Sequence, residues 1–163
     1  MNINFFNPGC QEGPIDAPRF GLCDNKKGGK AYTNIEEPDT WVAEVKNNKQ
    51  ISLVFTAIDK CVIRDNEYHD RGRCDAMITS NEHLYFIELK DQARNWVSDA
   101  IRQLESTIQL FVENHEMTKY KHKKAFACNR KYKRFQEIDN ERNLSFFRKY
   151  KVRLDVQAEV IIV

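Results

Sequence analysis

Three residues that could act together lie at the ends of two neighbouring apolar segments: Asp75, Glu88 and Lys90. In a strand, side chains two residues apart share a face, so Glu88 and Lys90 point the same way and Leu89 points opposite. The twelve residues between Asp75 and Glu88 are enough for a hairpin. Such a hairpin would bring both carboxylates close to the ammonium group of Lys90.

Two carboxylates and a backbone carbonyl are oxygen ligands that suit Mg²⁺, which keeps several of its waters. An ion held there would polarise a phosphodiester and lower the pKa of a bound water, while Lys90 orients that water or offsets charge. A simpler interpretation makes Glu88 and Lys90 an ion-paired strand end. The pattern of an acid followed two residues later by lysine occurs three times, beginning at Asp24, Glu44 and Glu88. Only the third case follows an apolar strand and has an acid on the preceding strand.

The elements that must position these residues follow from hydrophobic periodicity. The pattern predicts a helix after Asp91, with an apolar stripe that includes residues from Trp96 to Phe111, and a weaker helical region over 133–149. Residues 39–45 fit either a short helix or an extended segment. Strands are predicted at 51–55, 74–79, 84–89 and 125–128, with a half-buried terminal strand over 152–162. This mixture indicates an α/β or α+β domain.

Asp75, the hairpin, Glu88-Leu89-Lys90 and the following helix resemble the core of the PD-(D/E)XK nuclease superfamily, also called restriction-endonuclease-like. The resemblance implies an αβββαβ core over 39–128, with a mixed central sheet flanked by helices. It also implies that Asp75 and Glu88 bind a divalent metal, Mg²⁺ with Mn²⁺ as a substitute, and that Lys90 assists the attacking water. Cys74 stands where the family pattern has proline.

Two further site positions are suggested by the same resemblance. Gln103 resembles a glutamine that some exonuclease-like branches place on this helix, facing the active site, although a glutamine at the edge of the apolar stripe is an equally good interpretation. Many members also carry an acid on the first helix, and the candidates here are Glu44 and Asp59.

The N-terminal residues 1–38 differ in composition from the rest of the chain. They hold all four prolines and five of the six glycines, which predicts an irregular N-terminal extension. Residues 39–163 are then expected to form one nuclease-like domain. Five dispersed cysteines without a signal peptide predict reduced thiols, and their spacing does not favour structural zinc.

Charge is unevenly distributed, although the net charge is only +2. Eight Lys and Arg residues and no acid lie between Lys119 and Arg134. A concentrated basic stretch fits contact with a phosphate backbone, so Lys121, Lys123 and Lys124 are predicted to bind substrate. The alternative is an ordinary solvated surface.

Composition excludes several classes of protein. With 41% hydrophobic and 31% charged residues the chain can form a core, and no segment is long and apolar enough to span a bilayer. A cytoplasmic Mg²⁺-dependent nuclease, a hydrolase acting on the phosphodiester bonds of DNA, is the leading hypothesis. The alternative is a catalytically inactive nuclease-fold protein that binds nucleic acid or a protein partner. The sequence leaves open whether the DNA is single- or double-stranded and whether the protein forms a homodimer.

Overall fold

The computed structural model describes residues 2–68, 71–132 and 140–163, with the side chain of Asn140 left out. The described residues form ten strands and two α-helices. The helices are α1 (Val97–Asn114) and α2 (Asn140–Tyr150). The strands are β1 (Gln11–Ile15), β2 (Arg19–Cys23), β3 (Tyr32–Asn34), β4 (Ala43–Lys46), β5 (Leu53–Ala57), β6 (Ala76–Thr79), β7 (His83–Lys90), β8 (His122–Asn129), β9 (Arg153–Val156) and β10 (Glu159–Ile161).

A six-stranded mixed sheet has the order β1-β5-β6-β7-β8-β9. Strands β1, β5, β6 and β7 pair with one another in antiparallel fashion, while β8 runs parallel to β7 and β9 parallel to β8. The connection from β7 to β8 contains α1, as a parallel pair requires a crossover. The chain therefore contains the order βββαβ in β5, β6, β7, α1 and β8.

A smaller mixed sheet has the order β10-β4-β2-β3. Its central strands β2 and β4 are antiparallel, and β10 pairs in parallel with β4. A Cβ on Gly21 would lie only 2.0 Å from the aromatic ring of Trp41, so glycine is needed at this position in β2.

The six-stranded sheet is covered on both faces, which explains why β7 is apolar on both sides. One face packs against α1 and α2 and buries Phe86, Leu104, Phe111 and Phe146. The other face packs against the four-stranded sheet through residues such as Phe20, Val45, Phe55, Tyr85 and Phe126. The molecule thus has three layers, of helices, large sheet and small sheet.

The helical stripe and the strands predicted at 51–55, 74–79, 84–89 and 125–128 are confirmed, with shifted ends, and the α+β class with them. The sheet is not flanked by helices on both faces, however, because the small sheet occupies one of them. Within the described residues ahead of β5, the chain forms strands and 3₁₀ turns, so the first helix of the expected αβββαβ order is absent. Residues 39–45 are a 3₁₀ turn followed by β4.

Residues 1–38 are not an irregular extension, which corrects the prediction. They supply β1 to the large sheet and β2 and β3 to the small one, so these strands are integral to both layers. Pairing with distant strands stabilises them in spite of the turn-rich composition. Residues 133–139 of the weaker predicted helix lie outside the described residues, and α2 covers the remainder.

Two further predictions need correction. The terminal alternating segment is divided, because β9 joins the large sheet and β10 the small one, although Val152, Leu154, Val156, Ala158, Val160 and Ile162 are all buried as expected. Cys10 and Cys61 are joined in a disulfide across 51 residues of sequence, whereas Cys23, Cys74 and Cys128 are free and buried. In the part of the chain that the structure describes, no helix is long and apolar enough to cross a membrane.

Candidate active site

Asp75 and Glu88 are brought side by side by the hairpin of β6 and β7. Ala76 pairs with Ile87, so the two acids lie immediately beyond this pair at the end of the ladder. The backbone N–H of Leu89 donates a hydrogen bond of 2.8 Å to Oδ2 of Asp75, which fixes that carboxyl group against β7. The turn at Ser80–Glu82 sets this register, as the sequence predicts.

The two carboxyl groups are close enough to share a hydrogen bond, and they disturb each other's ionisation. Burial raises the pKa of Asp75 to about 7, and the nearby charge of Asp24 adds to the effect. Burial also raises the pKa of Glu88 well above its usual range, followed by the charge of Asp75. Burial is the largest cause of both shifts, whereas the hydrogen bond between the two carboxyl groups raises the pKa of Glu88 and lowers that of Asp75.

Glu88 lies on the helix-facing side of β7 and is only 5% exposed. Its Oε1 atom is buried and has no hydrogen-bond partner among the described residues. An unpartnered carboxylate oxygen in a protein interior is costly, and a cation or a proton would satisfy it. The arrangement therefore has capacity for a positively charged ligand.

Lys90 is held between acids from two elements. Its Nζ lies 3.3 Å from Oε2 of Glu88 and 2.5 Å from Oδ2 of Asp99, in the first turn of α1. Asp99 also pairs with Arg102 at 2.6 Å. The hydrogen bond from Lys90 lowers the pKa of Asp99. Burial lowers the pKa of Lys90, but the contacts with Asp99 and Glu88 outweigh it and raise the pKa overall, so this side chain is a cation at neutral pH.

Asn129, at the end of β8, fixes the chain where it leaves β7. Its Nδ2 donates to the carbonyl of Gln92 at 2.7 Å, and its Oδ1 accepts from the backbone of Lys131 at 3.0 Å. The backbone N–H of Arg130 donates to the carbonyl of Lys90 at 2.8 Å. Asn129 is completely buried, so its side chain ties the two strand ends together beside the site.

Asp75, Glu88 and Lys90 line a polar cleft of about 520 Å³. Its walls carry the five acidic residues Asp24, Asp59, Asp75, Glu88 and Asp91 and the four basic residues Lys26, Lys60, Arg73 and Lys90. Asp59 is paired with Arg73 at 2.8 Å. Loss of solvent raises the pKa of Asp24, and its acidic neighbours Asp59 and Asp91 raise it further. Acidic and basic side chains therefore nearly balance in number around the two central carboxyl groups.

Gln103 of α1 also lines this cleft. Its Oε1 is buried without a hydrogen-bond partner among the described residues. A Cβ on Gly72 would lie 2.4 Å from this oxygen, so the absence of a side chain at Gly72 leaves room for the Gln103 amide. The structure therefore places Gln103 at the cleft, on the inward side of its helix.

The structure separates the two candidates for an additional acid. Asp59, in the turn after β5, lines the cleft. Glu44 lies on β4 in the small sheet and pairs with Arg19 at 2.9 Å, outside the cleft. The expectation of an acid on a first helix is not met by either residue.

Lys121, Lys123 and Lys124 do not line the cleft, and their binding of substrate stays a prediction. Glu88 pairs with Ala127, and at about 3.3 Å per residue these lysines begin roughly 10 to 20 Å further along the sheet. Lys124 is on the small-sheet side and lies 3.8 Å from Asp155, while Lys123 points to the opposite face. A run of adjacent lysines in a strand cannot form one stripe, because successive side chains alternate in direction. Lys133 and Arg134 lie outside the described residues.

Asp24 and Asp99 were not among the residues predicted from the sequence. Asp99 carried a usable signal, because an acid in the first turn of the helix that follows Lys90 is well placed for the helix dipole and for a cation at the strand end. Nothing in the sequence indicated Asp24, because the loop that contains it reaches the cleft only when the two sheets pack together.

The donor set suits a hard cation with few protein ligands. Among residues 2–68, 71–132 and 140–163, no three His, Cys, Asp or Glu side chains form a ready group of metal ligands. Asp75 and Glu88 offer carboxylate oxygens, one of them unpartnered, and Mg²⁺ is typically bound through one or two carboxylates with waters completing its shell. The residues present therefore fit Mg²⁺ or Mn²⁺.

Comparisons with protein-family models, with curated proteins and with solved structures found no match to this chain. What the cleft does must accordingly be argued from its own residues.

Proposed function

We propose that this protein is a metal-dependent nuclease that hydrolyses the phosphodiester bonds of DNA. The observation that carries the proposal is the buried pair of carboxyl groups, Asp75 and Glu88, beside the ion-paired Lys90 in an open polar cleft. The order βββαβ and the position of Gln103 on α1 also support it, because both agree with the resemblance to the PD-(D/E)XK superfamily.

Asp75 and Glu88 would hold the divalent ion. Bound there, Mg²⁺ would polarise the phosphodiester and lower the pKa of a coordinated water. The hydrogen bond from Leu89 holds the Asp75 carboxyl group in one orientation, and the unpartnered Oε1 of Glu88 is available to a ligand.

Lys90 would act as a positioned cation. Its pKa is raised, so it is protonated at neutral pH and serves neither as a general base nor as a nucleophile. Held by Glu88 and Asp99, its ammonium group can donate a hydrogen bond to the attacking water and offset the negative charge that develops on the phosphate. The pairing with Asp99 limits the positions that Lys90 can take.

The proposal is tested by incubating supercoiled plasmid and a labelled single-stranded oligonucleotide with the protein in Mg²⁺, in Mn²⁺ and in EDTA. We expect cutting in either metal and none in EDTA. A mobility shift without cutting in any metal would instead support the alternative, a nuclease-fold protein that binds nucleic acid. A result of neither cutting nor binding would overturn the nuclease and the nucleic-acid binder, and would leave an inactive nuclease-fold protein that binds a protein partner.

A further inference from the structure

The loop between β2 and β3, residues 24–31, forms one wall of the cleft. Asp24, Asn25, Lys26, Gly28 and Gly29 all line it, opposite Glu88 and Lys90 of the large sheet. The loop belongs to the small sheet, so the cleft lies between the two sheets' loops.

The loop has a defined conformation. Oδ1 of Asn25 accepts the N–H of Lys27 at 3.0 Å, and its backbone carbonyl accepts the N–H of Gly28 at 3.0 Å. Gly28 has a φ of +85°, which favours glycine, and a Cβ on Gly29 would lie 2.4 Å from Nδ2 of Asn25. The turn is therefore preformed by the Asn25 side chain and the two glycines.

This preformed turn presents three lysines without acidic partners. Lys26, Lys27 and Lys30 are exposed, and none has a carboxylate within 4.0 Å in the described part of the chain. Of the three, Lys26 lines the cleft, and Lys27 and Lys30 lie on the same loop outside its lining. Lys60 and Lys124, by contrast, are paired with Asp65 at 3.3 Å and with Asp155 at 3.8 Å. Unpaired cations keep their full charge for an external anion.

A polyanion entering this cleft meets an electrostatic obstacle. Five acidic residues line the cleft against four basic ones, and apart from Lys26 the basic ones (Lys60, Arg73 and Lys90) are already engaged in ion pairs with acids. Cations at the rim must therefore offset the remaining repulsion if a phosphate chain is to reach Glu88 and Lys90.

We propose that Lys26, Lys27 and Lys30 bind the phosphodiester backbone of the DNA that enters the cleft. The inference rests on the proposed function and assigns to the β2–β3 loop the role that the sequence pattern predicted for Lys121, Lys123 and Lys124. Contacts to phosphates are independent of base sequence, so the loop contributes affinity and register but no base specificity.

The test uses two matched triple variants in a Glu88→Gln background, which prevents cutting during measurement. One replaces Lys26, Lys27 and Lys30 with Gln, and the other replaces Lys121, Lys123 and Lys124 with Gln, so both remove the same charge. The dissociation constants of fluorescein-labelled duplexes of two unrelated sequences are measured across a series of KCl concentrations, and thermal unfolding verifies that each variant is folded.

We expect the loop variant to bind both duplexes more weakly and to flatten the slope of log K against log salt by about 0.9 for each phosphate that the protein no longer neutralises. The strand variant should keep the slope of the Glu88→Gln parent. An unchanged slope in the loop variant, or a greater weakening of binding in the strand variant, overturns the inference.

These failures are distinguishable from failure of the proposed function. If the wild-type protein cuts DNA and the loop variant keeps the parent's slope, the nuclease assignment stands and only the role of the loop is wrong. If the parent binds no DNA at any salt concentration and the wild-type protein cuts none, both fail together.

Discussion

Two acid-x-Lys tripeptides lie on strands of this protein, and their surroundings differ sharply. Glu88 and Lys90 on β7 are 7% and 14% exposed in their side chains, and their atoms lie 3.3 Å apart. Glu44 and Lys46 on β4 pair with Arg19 at 2.9 Å and with Glu159 at 3.2 Å, and three of these four side chains are more than a third exposed.

The difference shows that a candidate site is distinguished from an ordinary surface by the burial of its charged side chains and by a second acid beside them, and not by the tripeptide itself. Exposed ion pairs such as those of β4 contribute little to stability, because water and salt screen them. On β7, burial raises the pKa of Glu88, and the charge of a second acid, Asp75, raises it further. Only this tripeptide could respond strongly to a cation.

The largest expected effect is on the rate of DNA cleavage, which should depend on the β7 tripeptide and not on the β4 tripeptide. Glu88→Gln removes a ligand charge, and Lys90→Ala removes the cation that would orient the water, so each should lower the rate of Mg²⁺-dependent plasmid cleavage roughly 10²- to 10³-fold. The initial rate of conversion of supercoiled to nicked plasmid measures this.

The matched controls are Glu44→Gln and Lys46→Ala, which make the same chemical changes outside the cleft. Their cleavage rates should stay within about twofold of the wild-type rate, since exposed substitutions rarely disturb a fold. Equal reductions in the two sets would mean that neither tripeptide is the active site, and full activity in pure Lys90→Ala would assign the activity elsewhere.

A smaller effect concerns stability and pH. The pKa of Asp75 is about 7 in the folded protein, against about 3.9 in an unfolded chain. The stabilising contribution of its protonated form is therefore complete below pH 4 and is lost as pH rises through 7. In EDTA, Asp75→Asn should make the protein more stable than wild type at pH 8, on the order of 2 to 4 kcal/mol, and flatten the decline between pH 5 and 7.

Urea denaturation at half-unit pH intervals measures this free energy of unfolding. Added Mg²⁺ should raise the stability of the wild-type protein most above pH 7, where the Asp75 carboxyl group is ionised, and should do less for Asp75→Asn. Glu44→Gln serves as the control and should retain the wild-type pH profile. A pH profile of Asp75→Asn that superimposes on wild type would show that the Asp75 carboxyl is not a buried titrating group.

The smallest expected effect on the cleavage rate concerns Gln103, the residue of α1 that lines the cleft. An added methyl group in Gly72→Ala would meet Oε1 of Gln103, the far end of a flexible side chain, so the amide should move while the free energy of unfolding changes by less than about 1 kcal/mol. Gly72→Ala and Gln103→Ala should each reduce the cleavage rate by up to about tenfold, equivalent to roughly 1.4 kcal/mol.

The double variant identifies whether both changes act through the same group. Because Gly72→Ala acts by displacing Gln103, the two reductions in rate should not add. Gln109→Ala is the control, since Nε2 of Gln109 donates to the hydroxyl of Tyr150 away from the cleft. Additive reductions would show that Gly72 matters for a reason other than the Gln103 amide.

The local elements could be predicted from the sequence because they depend on neighbouring residues. A short run that is apolar on both faces indicated the strand that carries Glu88, and the stripe from Trp96 to Phe111 indicated α1. The hairpin between β6 and β7 followed from its turn, so Asp75, Glu88 and Lys90 were already expected to lie together. These conclusions needed no information about distant parts of the chain.

Long-range packing decided the rest. Pairing of β1 with β5, the disulfide between Cys10 and Cys61, and the division of the terminal segment between two sheets all join residues far apart in sequence. The same packing brings Asp24 and Lys26 of the β2–β3 loop to the cleft and leaves Lys121 just before the far end of β8. Local periodicity specifies which face of a strand is buried, but which segments meet at a site depends on how the layers close on each other.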